Sequence, residues 1–119
     1  MPIEAHGAPP LVHRTADFRD VASPILRDGA ALSGLLLSAA GAAGLSTAEP
    51  PTVRALPRDG FAVLLLLDLG HVTVHTMPAR EILLLDLLVP AGRDPQKAVD
   101  VFTRKLGAKE SRSGRHDRG

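Results

Sequence analysis

The 119-residue sequence contains no cysteine, no tryptophan and no tyrosine, and only three phenylalanines. Without cysteine the chain forms no disulfide, no thiolate metal site and no cysteine nucleophile, which fits a reducing compartment. The formal net charge is only +1, so the chain as a whole does not attract nucleic acid or another polyanion. The length corresponds to one domain.

Two segments bear on targeting and membrane association. Residues 1–6 contain no basic region followed by an apolar core, so we predict no secretory signal and a cytoplasmic protein. Residues 29–48 carry no charge and have the length of a membrane span, but they are mostly alanine, glycine and serine. Their leucines fall near helical spacing, which favours a helix packed on a sheet and no membrane association.

The order of predicted elements indicates the fold class. Capping residues and apolar periodicity predict helices at 24–43 and 95–106, where Ser23 and Asp94 are the caps. Alternating or continuous apolar runs predict strands at 11–16, 52–56, 61–69, 71–75 and 81–89. The continuous run 61–69 is typical of a strand that is buried on both faces or holds an interior position. This order predicts an α+β two-layer sandwich, a mostly antiparallel sheet with two helices on one face.

The ends of the chain differ in composition from its middle. We predict a flexible N-terminus at 1–10, a folded domain at 11–107 and a disordered polar tail at 108–119. The tail is rich in arginine, but carboxylates dilute the charge and no aromatic residue accompanies it. We therefore expect no nucleic-acid binding.

Residues 71–78, His-Val-Thr-Val-His-Thr-Met-Pro, form the most informative stretch. The β-branched residues favour a strand, on which His71, Thr73 and His75 share one face. Such a row is either a hydrogen-bonded structural feature or part of a site. In a strand the two histidines lie about 13 Å apart, too far to bind one ion together, so we predict no metal site.

Few nucleophiles accompany these histidines. No serine occurs between Ser46 and Ser111, and threonines in strands are usually packing residues, although His75 can in principle activate Thr73 or Thr76. Two carboxylates, Asp68 and Asp86, interrupt apolar runs. Each of them either orients a histidine or faces water at a strand end.

The block His-x-Thr-x-His-Thr-x-Pro resembles the bacterial S-adenosylmethionine decarboxylases, which supply the aminopropyl donor for spermidine. The similarity covers approximately residues 11–106. The matching residues are His71, Thr73, His75, Thr76 and Pro78 in the block, Asp86 in the following strand, and Asp94, Pro95, Lys97 and Ala98 at the helix start.

This resemblance implies a pyruvoyl cofactor made from the chain itself, by self-cleavage at the serine that precedes the first histidine. That chemistry needs a hydroxyl on a β-carbon, and this sequence has Gly70 there. Other family residues are also replaced: the serine that assists cleavage by Ala62, the glutamate after the block by Ala79, and the proton-donating cysteine by Pro90. His75 matches the histidine linked to processing.

We therefore predict an S-adenosylmethionine decarboxylase-like protein that has no cofactor and neither processes itself nor decarboxylates. His71 and His75 would be catalytic remnants, and Thr73 and Asp86 ligand contacts. Such a protein would be a regulatory partner or a ligand-binding pseudoenzyme linked to polyamine metabolism. We expect a homodimer, or a heterodimer with an active paralogue, and an amine or S-adenosylmethionine-like ligand. The alternatives are another chemistry that uses His71 and His75, or a structural dimerisation module.

Overall fold

The computed structural model describes residues 7–119. The flexible N-terminus was predicted for residues 1–10, of which 1–6 lie outside the described residues. The described part contains an antiparallel sheet in the order β2-β3-β4-β5-β1-β6. Its strands are β1 Leu11–Arg19, β2 Thr52–Ala55, β3 Phe61–Leu67, β4 Gly70–Met77, β5 Ile82–Pro90 and β6 Glu110–Arg118.

Two helices, α1 Gly29–Ala42 and α2 Pro95–Leu106, pack against each other and cover one face of this sheet. The predicted α+β two-layer sandwich is confirmed. Within residues 7–119, no helix has the length and apolar character needed to cross a bilayer.

Burial alternates along the central strands and defines two faces. On β5, Leu83, Leu85, Leu87 and Val89 are at most 1% exposed under the helices, whereas the residues between them are only half-buried. We call the uncovered side the open face. Its central positions are Ala62, Leu64 and Leu66 on β3, His71, Thr73, His75 and Met77 on β4, Ile82, Leu84, Asp86 and Leu88 on β5, and His13, Thr15 and Asp17 on β1.

The strand β3 was predicted to be buried on both faces or to hold an interior position. It is interior in the sheet, between β2 and β4, but it is not buried on both faces. Val63, Leu65 and Leu67 are buried against the helices, but Leu66 is 44% exposed on the open face. The continuous apolar run therefore reflects one core-facing row and one apolar row on the open face.

The start of the first helix also differs from the prediction. Ser23 caps a short 3-10 turn, Pro24–Arg27, rather than the helix itself. The helix α1 begins five residues later, where the Asp28 carboxylate accepts a hydrogen bond of 3.0 Å from the Ala31 amide. A side-chain cap of this kind satisfies an amide that has no partner inside the helix.

The second helix follows its sequence signals closely. Asp94 accepts a hydrogen bond of 3.1 Å from the Gln96 amide, Pro95 occupies the first turn, and Gly107 ends the helix at φ 58°. The apolar stripe of α2 is buried, and Phe102 stacks on Phe18 of β1 with ring centroids 6.3 Å apart. This contact fixes the helix against the sheet.

The polar tail is not disordered, although its composition predicts disorder. Residues Glu110–Arg118 form β6, which pairs with β1 along its whole length, from Leu11 opposite Arg118 to Arg19 opposite Glu110. Backbone pairing does not require apolar side chains, and an edge strand exposed on both faces accommodates charged residues. β6 pairs with the backbone N–H and C=O groups on the edge of β1 that does not face β5.

Candidate functional site

The structure places the histidine row of β4 on the open face, as its spacing predicts. Val72 and Val74 are buried beneath the helices, whereas His71, Thr73 and His75 point to the opposite side. Across the sheet, Thr73 is paired with Asp86 of β5, and His75 with Ala62 of β3. These three side chains thus line one surface, but the described residues include no side-chain hydrogen bond that joins them.

The hydroxyl of Thr76 makes two hydrogen bonds inside the fold. Its side chain is buried, and its hydroxyl donates to the Leu26 carbonyl and accepts from the Phe61 amide, both at 2.9 Å. These bonds tie β4 to β3 and to the 3-10 turn before α1. Because the hydroxyl proton already has a buried partner on the helix side, Thr76 is not presented to the open face as a nucleophile.

The two carboxylates that interrupt apolar runs have different environments. Asp86 lies on the open face, where its Oδ1 is 2.5 Å from Nε2 of His13 on β1. Asp68 is exposed in the turn between β3 and β4. Sequence reasoning missed His13, because its contact with Asp86 spans 73 residues and depends on the adjacency of β1 and β5. The alternation of β1 places His13 on the open face, but it does not identify its partner.

Gly70 lies at the start of β4 in a tight hairpin, where it pairs with Leu67 across the turn residues Asp68 and Leu69. Its φ is +118°, a conformation that side-chain-bearing residues rarely adopt. A Cβ at this position would lie 1.9 Å from the Leu88 carbonyl oxygen and 2.9 Å from the Leu88 carbonyl carbon. Since these contacts are with backbone, the hairpin in this conformation accepts only glycine.

A small cleft of about 180 Å³ lies beside this hairpin. Pro90, at the end of β5, lines it together with Asp68 and Arg93. His75 lies five residues further along β4, about 16 Å from Gly70 at the usual rise of a strand. Within one chain, the residues predicted as one degenerate site therefore fall at opposite ends of β4.

A larger pocket, of about 360 Å³, lies at the His75 end of β4. It is formed between two short turns, Pro57–Asp59 and Pro78–Arg80. Leu56 and Met77 provide apolar lining, and Arg58, Arg80 and His75 provide the groups that can carry positive charge. The two arginines were missed in the sequence, because nothing in it indicates that these turns meet.

No group of three histidine or carboxylate residues within 7–119 is arranged to hold a metal ion. The chemistry that the described residues offer is hydrogen bonding and acid–base chemistry on the open face, and charge recognition in the pocket at its edge.

The six-stranded antiparallel sheet with two helices on one face is a two-layer α+β fold. The same fold occurs in a solved crystal structure. The crystal structure of the adenosylmethionine decarboxylase from Aquifex aeolicus superposes with a TM-score of 0.80. The match covers 94% of this chain and 92% of that one, at 22% sequence identity. The two proteins thus have the same fold.

The family follows from the sequence itself. The family model described as S-adenosylmethionine decarboxylase matches residues 12–119, and the chain belongs to this family. No curated protein matches the sequence significantly. The family resemblance of the β4 block is therefore confirmed.

Proposed function

We propose that this protein is a member of the S-adenosylmethionine decarboxylase family that neither cleaves its own chain nor decarboxylates, and that it acts as a regulatory partner or ligand-binding pseudoenzyme linked to polyamine metabolism. The observation that carries the proposal is Gly70. The family resemblance implies a pyruvoyl group built from a serine at this position, and glycine has no β-carbon to bear the hydroxyl. The residues present do not fit that group.

The surroundings of Gly70 support the same proposal. The backbone of β5 occupies the space that a side chain would need, with the Leu88 oxygen 1.9 Å from a Cβ at position 70. The family resemblance implies a proton-donating cysteine at the position of Pro90, and the chain contains no thiol. Ala62, directly opposite His75, offers that histidine no hydroxyl.

We propose further that the open face binds a second copy of this chain. Its half-buried leucines, with Leu66 44% exposed, form an apolar surface, and its central carboxylate is already paired with His13. Covering these leucines removes apolar area from water, which favours association. A serine-bearing paralogue in place of the second copy would give the heterodimer in which this chain regulates an active partner.

Intact-mass spectrometry of the purified protein tests the loss of processing. We expect the mass of the unbroken 119-residue chain and no release of labelled carbon dioxide from carboxyl-labelled S-adenosylmethionine. The Aquifex aeolicus enzyme, prepared in parallel, is the positive control for the decarboxylation assay. Two fragments, or a fragment with a terminal ketone, would contradict the proposal.

Sedimentation velocity tests the assembly through the open face. We expect a dimer for the wild type and a monomer for Leu66→Glu. The matched control is Leu37→Glu on α1, because Leu37 is 43% exposed and Leu66 is 44% exposed. A monomeric wild type would exclude the homodimer. If Leu37→Glu rather than Leu66→Glu dissociates the dimer, the helices and not the sheet form the interface.

A second candidate function is acid–base catalysis of another kind on the same scaffold. The His13–Asp86 pair favours it, because a carboxylate bonded to one ring nitrogen orients a histidine as a general base. His71 and His75, about 13 Å apart, do not reach one substrate atom together. Hydrolysis of p-nitrophenyl acetate is the probe, and we expect His13→Gln to abolish any turnover above that of free imidazole. Equal rates for His13→Gln and the wild type would exclude this candidate.

A purely structural dimerisation module is the third possibility, and it predicts no ligand site. The pocket of about 360 Å³ beside His75 argues against it, because concave sites of this size suit small molecules.

A further inference from the structure

The pocket at the end of β4 combines an apolar interior with positive charge at its rim. We infer that it binds a small anion that carries a short apolar group, such as an aliphatic carboxylate or a phosphate monoester. This anion would be the ligand of the proposed pseudoenzyme. The inference depends on the proposed function only in assuming that the chain binds a small molecule.

The shape of the pocket comes from two turns that meet beyond the sheet. The turn Pro57–Asp59 precedes β3, and the turn Pro78–Arg80 follows β4. Leu56 and Met77 contribute apolar surface between them. A volume of about 360 Å³ lies within the range of small-molecule sites, near its lower end. The space therefore suits a ligand of a few carbon atoms.

The charge of the lining has one sign. Arg58, Arg80 and His75 line the pocket, and no carboxylate does. Asp59 and Glu81 follow the two arginines in the chain but are absent from the lining. Across residues 7–119 the ion pairs within 4 Å join His13 to Asp86 and Arg115 to Asp117, so neither pocket arginine has such a partner. Guanidinium groups bind carboxylate and phosphate in a bidentate geometry.

The backbone at the rim is unusual on both sides. Arg58 has φ 61° and Asp59 has φ 63° in one turn, and Glu81 has φ 55° at the end of the other. Left-handed conformations of residues other than glycine occur often at ligand sites, where the surrounding structure holds them in place. Here they lie at or beside the two arginines that define the charge of the pocket.

The surroundings strengthen the positive potential. Arg80 also lines a neighbouring cavity of about 230 Å³ together with Arg19 and Arg112, against a single carboxylate, Asp17. In the pocket itself, Ala79 occupies the position at which the family resemblance implies a glutamate. A carboxylate there would repel an anion, and alanine leaves the pocket lining without that repulsion. This charge disfavours the amine ligand expected from the resemblance.

Titration of the ¹⁵N-labelled full chain by NMR tests the charge preference with three probes of defined chemistry. Sodium butyrate and inorganic phosphate present an anion, and butylamine presents a cation on an aliphatic chain of similar size. We expect butyrate to shift the amides of residues 56–58 and 75–80 and to bind at least about tenfold more tightly than butylamine, which corresponds to about 1.4 kcal/mol. Tighter binding of phosphate than of butyrate would identify a phosphate ligand, and the reverse a carboxylate.

Substitution of the arginines tests the assignment of the site. We expect Arg58→Ala and Arg80→Ala each to weaken butyrate binding about tenfold, and Arg80→Lys to weaken it less, because a lysine keeps the charge but loses the bidentate geometry. Arg104→Ala, on the exposed side of α2, is the control and should bind like the wild type. All these residues are exposed, so the variants should fold.

Equal affinity for butyrate and butylamine would overturn the inference, as would butyrate binding that neither arginine substitution weakens. These results are independent of the mass measurement. A chain that cleaves itself would contradict the proposed function without affecting anion binding, and an unbroken chain that binds no anion would contradict only the inference made here.

Discussion

The two ends of β4 differ in what they can hold. At the Gly70 end, the backbone of β5 fills the place of a side chain, and the adjacent cleft measures about 180 Å³. At the His75 end, a pocket of about 360 Å³ is lined by two arginines. The family resemblance assigns catalytic residues to both ends. The difference shows that the larger space for a ligand lies at the His75 end of the strand, and that the Gly70 end has little room even for a side chain.

Restoring the family's serine should have the largest effect. Gly70→Ser forces a side chain into a conformation with φ +118° and into contact with the Leu88 carbonyl. We expect the free energy of unfolding to fall by about 3 kcal/mol or more, from strained backbone and overpacking together. Urea denaturation measures this loss, and intact-mass spectrometry should show an uncleaved chain.

The control for this substitution is Gly92→Ser. Gly92 also has a positive φ, +94°, but a Cβ there meets no atom within 4 Å. We expect a loss of only about 1–2 kcal/mol, from backbone strain alone. If Gly70→Ser were no more destabilising than Gly92→Ser, the Leu88 backbone would not obstruct a side chain at position 70. Cleavage of the Gly70→Ser chain would show that the serine was the only residue missing for self-processing.

A substitution at the other end of β4 should have an intermediate effect. Thr76→Val keeps the shape of the side chain but leaves the Leu26 carbonyl and the Phe61 amide without their buried partner. We expect the free energy of unfolding to fall by about 1–3 kcal/mol. Thr73→Val, on the open face of the same strand, should change it by less than about 0.5 kcal/mol. Equal losses for both variants would mean that the Thr76 hydrogen bonds are not what anchors this end.

The sequence predicts those parts of the fold that local periodicity and capping determine. The helix α2 follows from Asp94, Pro95 and Gly107, which act within one or two turns of the chain. The shared face of His71 and His75 follows from the twofold repeat of a strand. The tail was predicted wrongly, because β6 depends on the free edge of β1 rather than on its own composition.

The site was less predictable, because its contacts join distant segments. His13 meets Asp86 only since β1 inserts beside β5 in the sheet. Arg58 and Arg80 come from separate turns whose meeting depends on the register of β3 and β4. The replacement of the serine by Gly70 is visible in the sequence, but the obstruction by the Leu88 carbonyl is not.

Substitution of His13 and Asp86, the pair in the middle of the open face, should have the smallest effect on stability. These substitutions also test whether the two ends of β4 are independent. His13 and Asp86 are in close contact, but their side chains are 27% and 44% exposed, so water screens the interaction. A double-mutant cycle of His13→Gln and Asp86→Asn should give a coupling free energy of about 0.2–1 kcal/mol. Neither substitution should alter butyrate binding at the His75 end, since neither residue lines that pocket. A coupling of several kcal/mol, or weaker butyrate binding in Asp86→Asn, would mean that the open face acts as one connected site and that the ends of β4 cannot be treated separately.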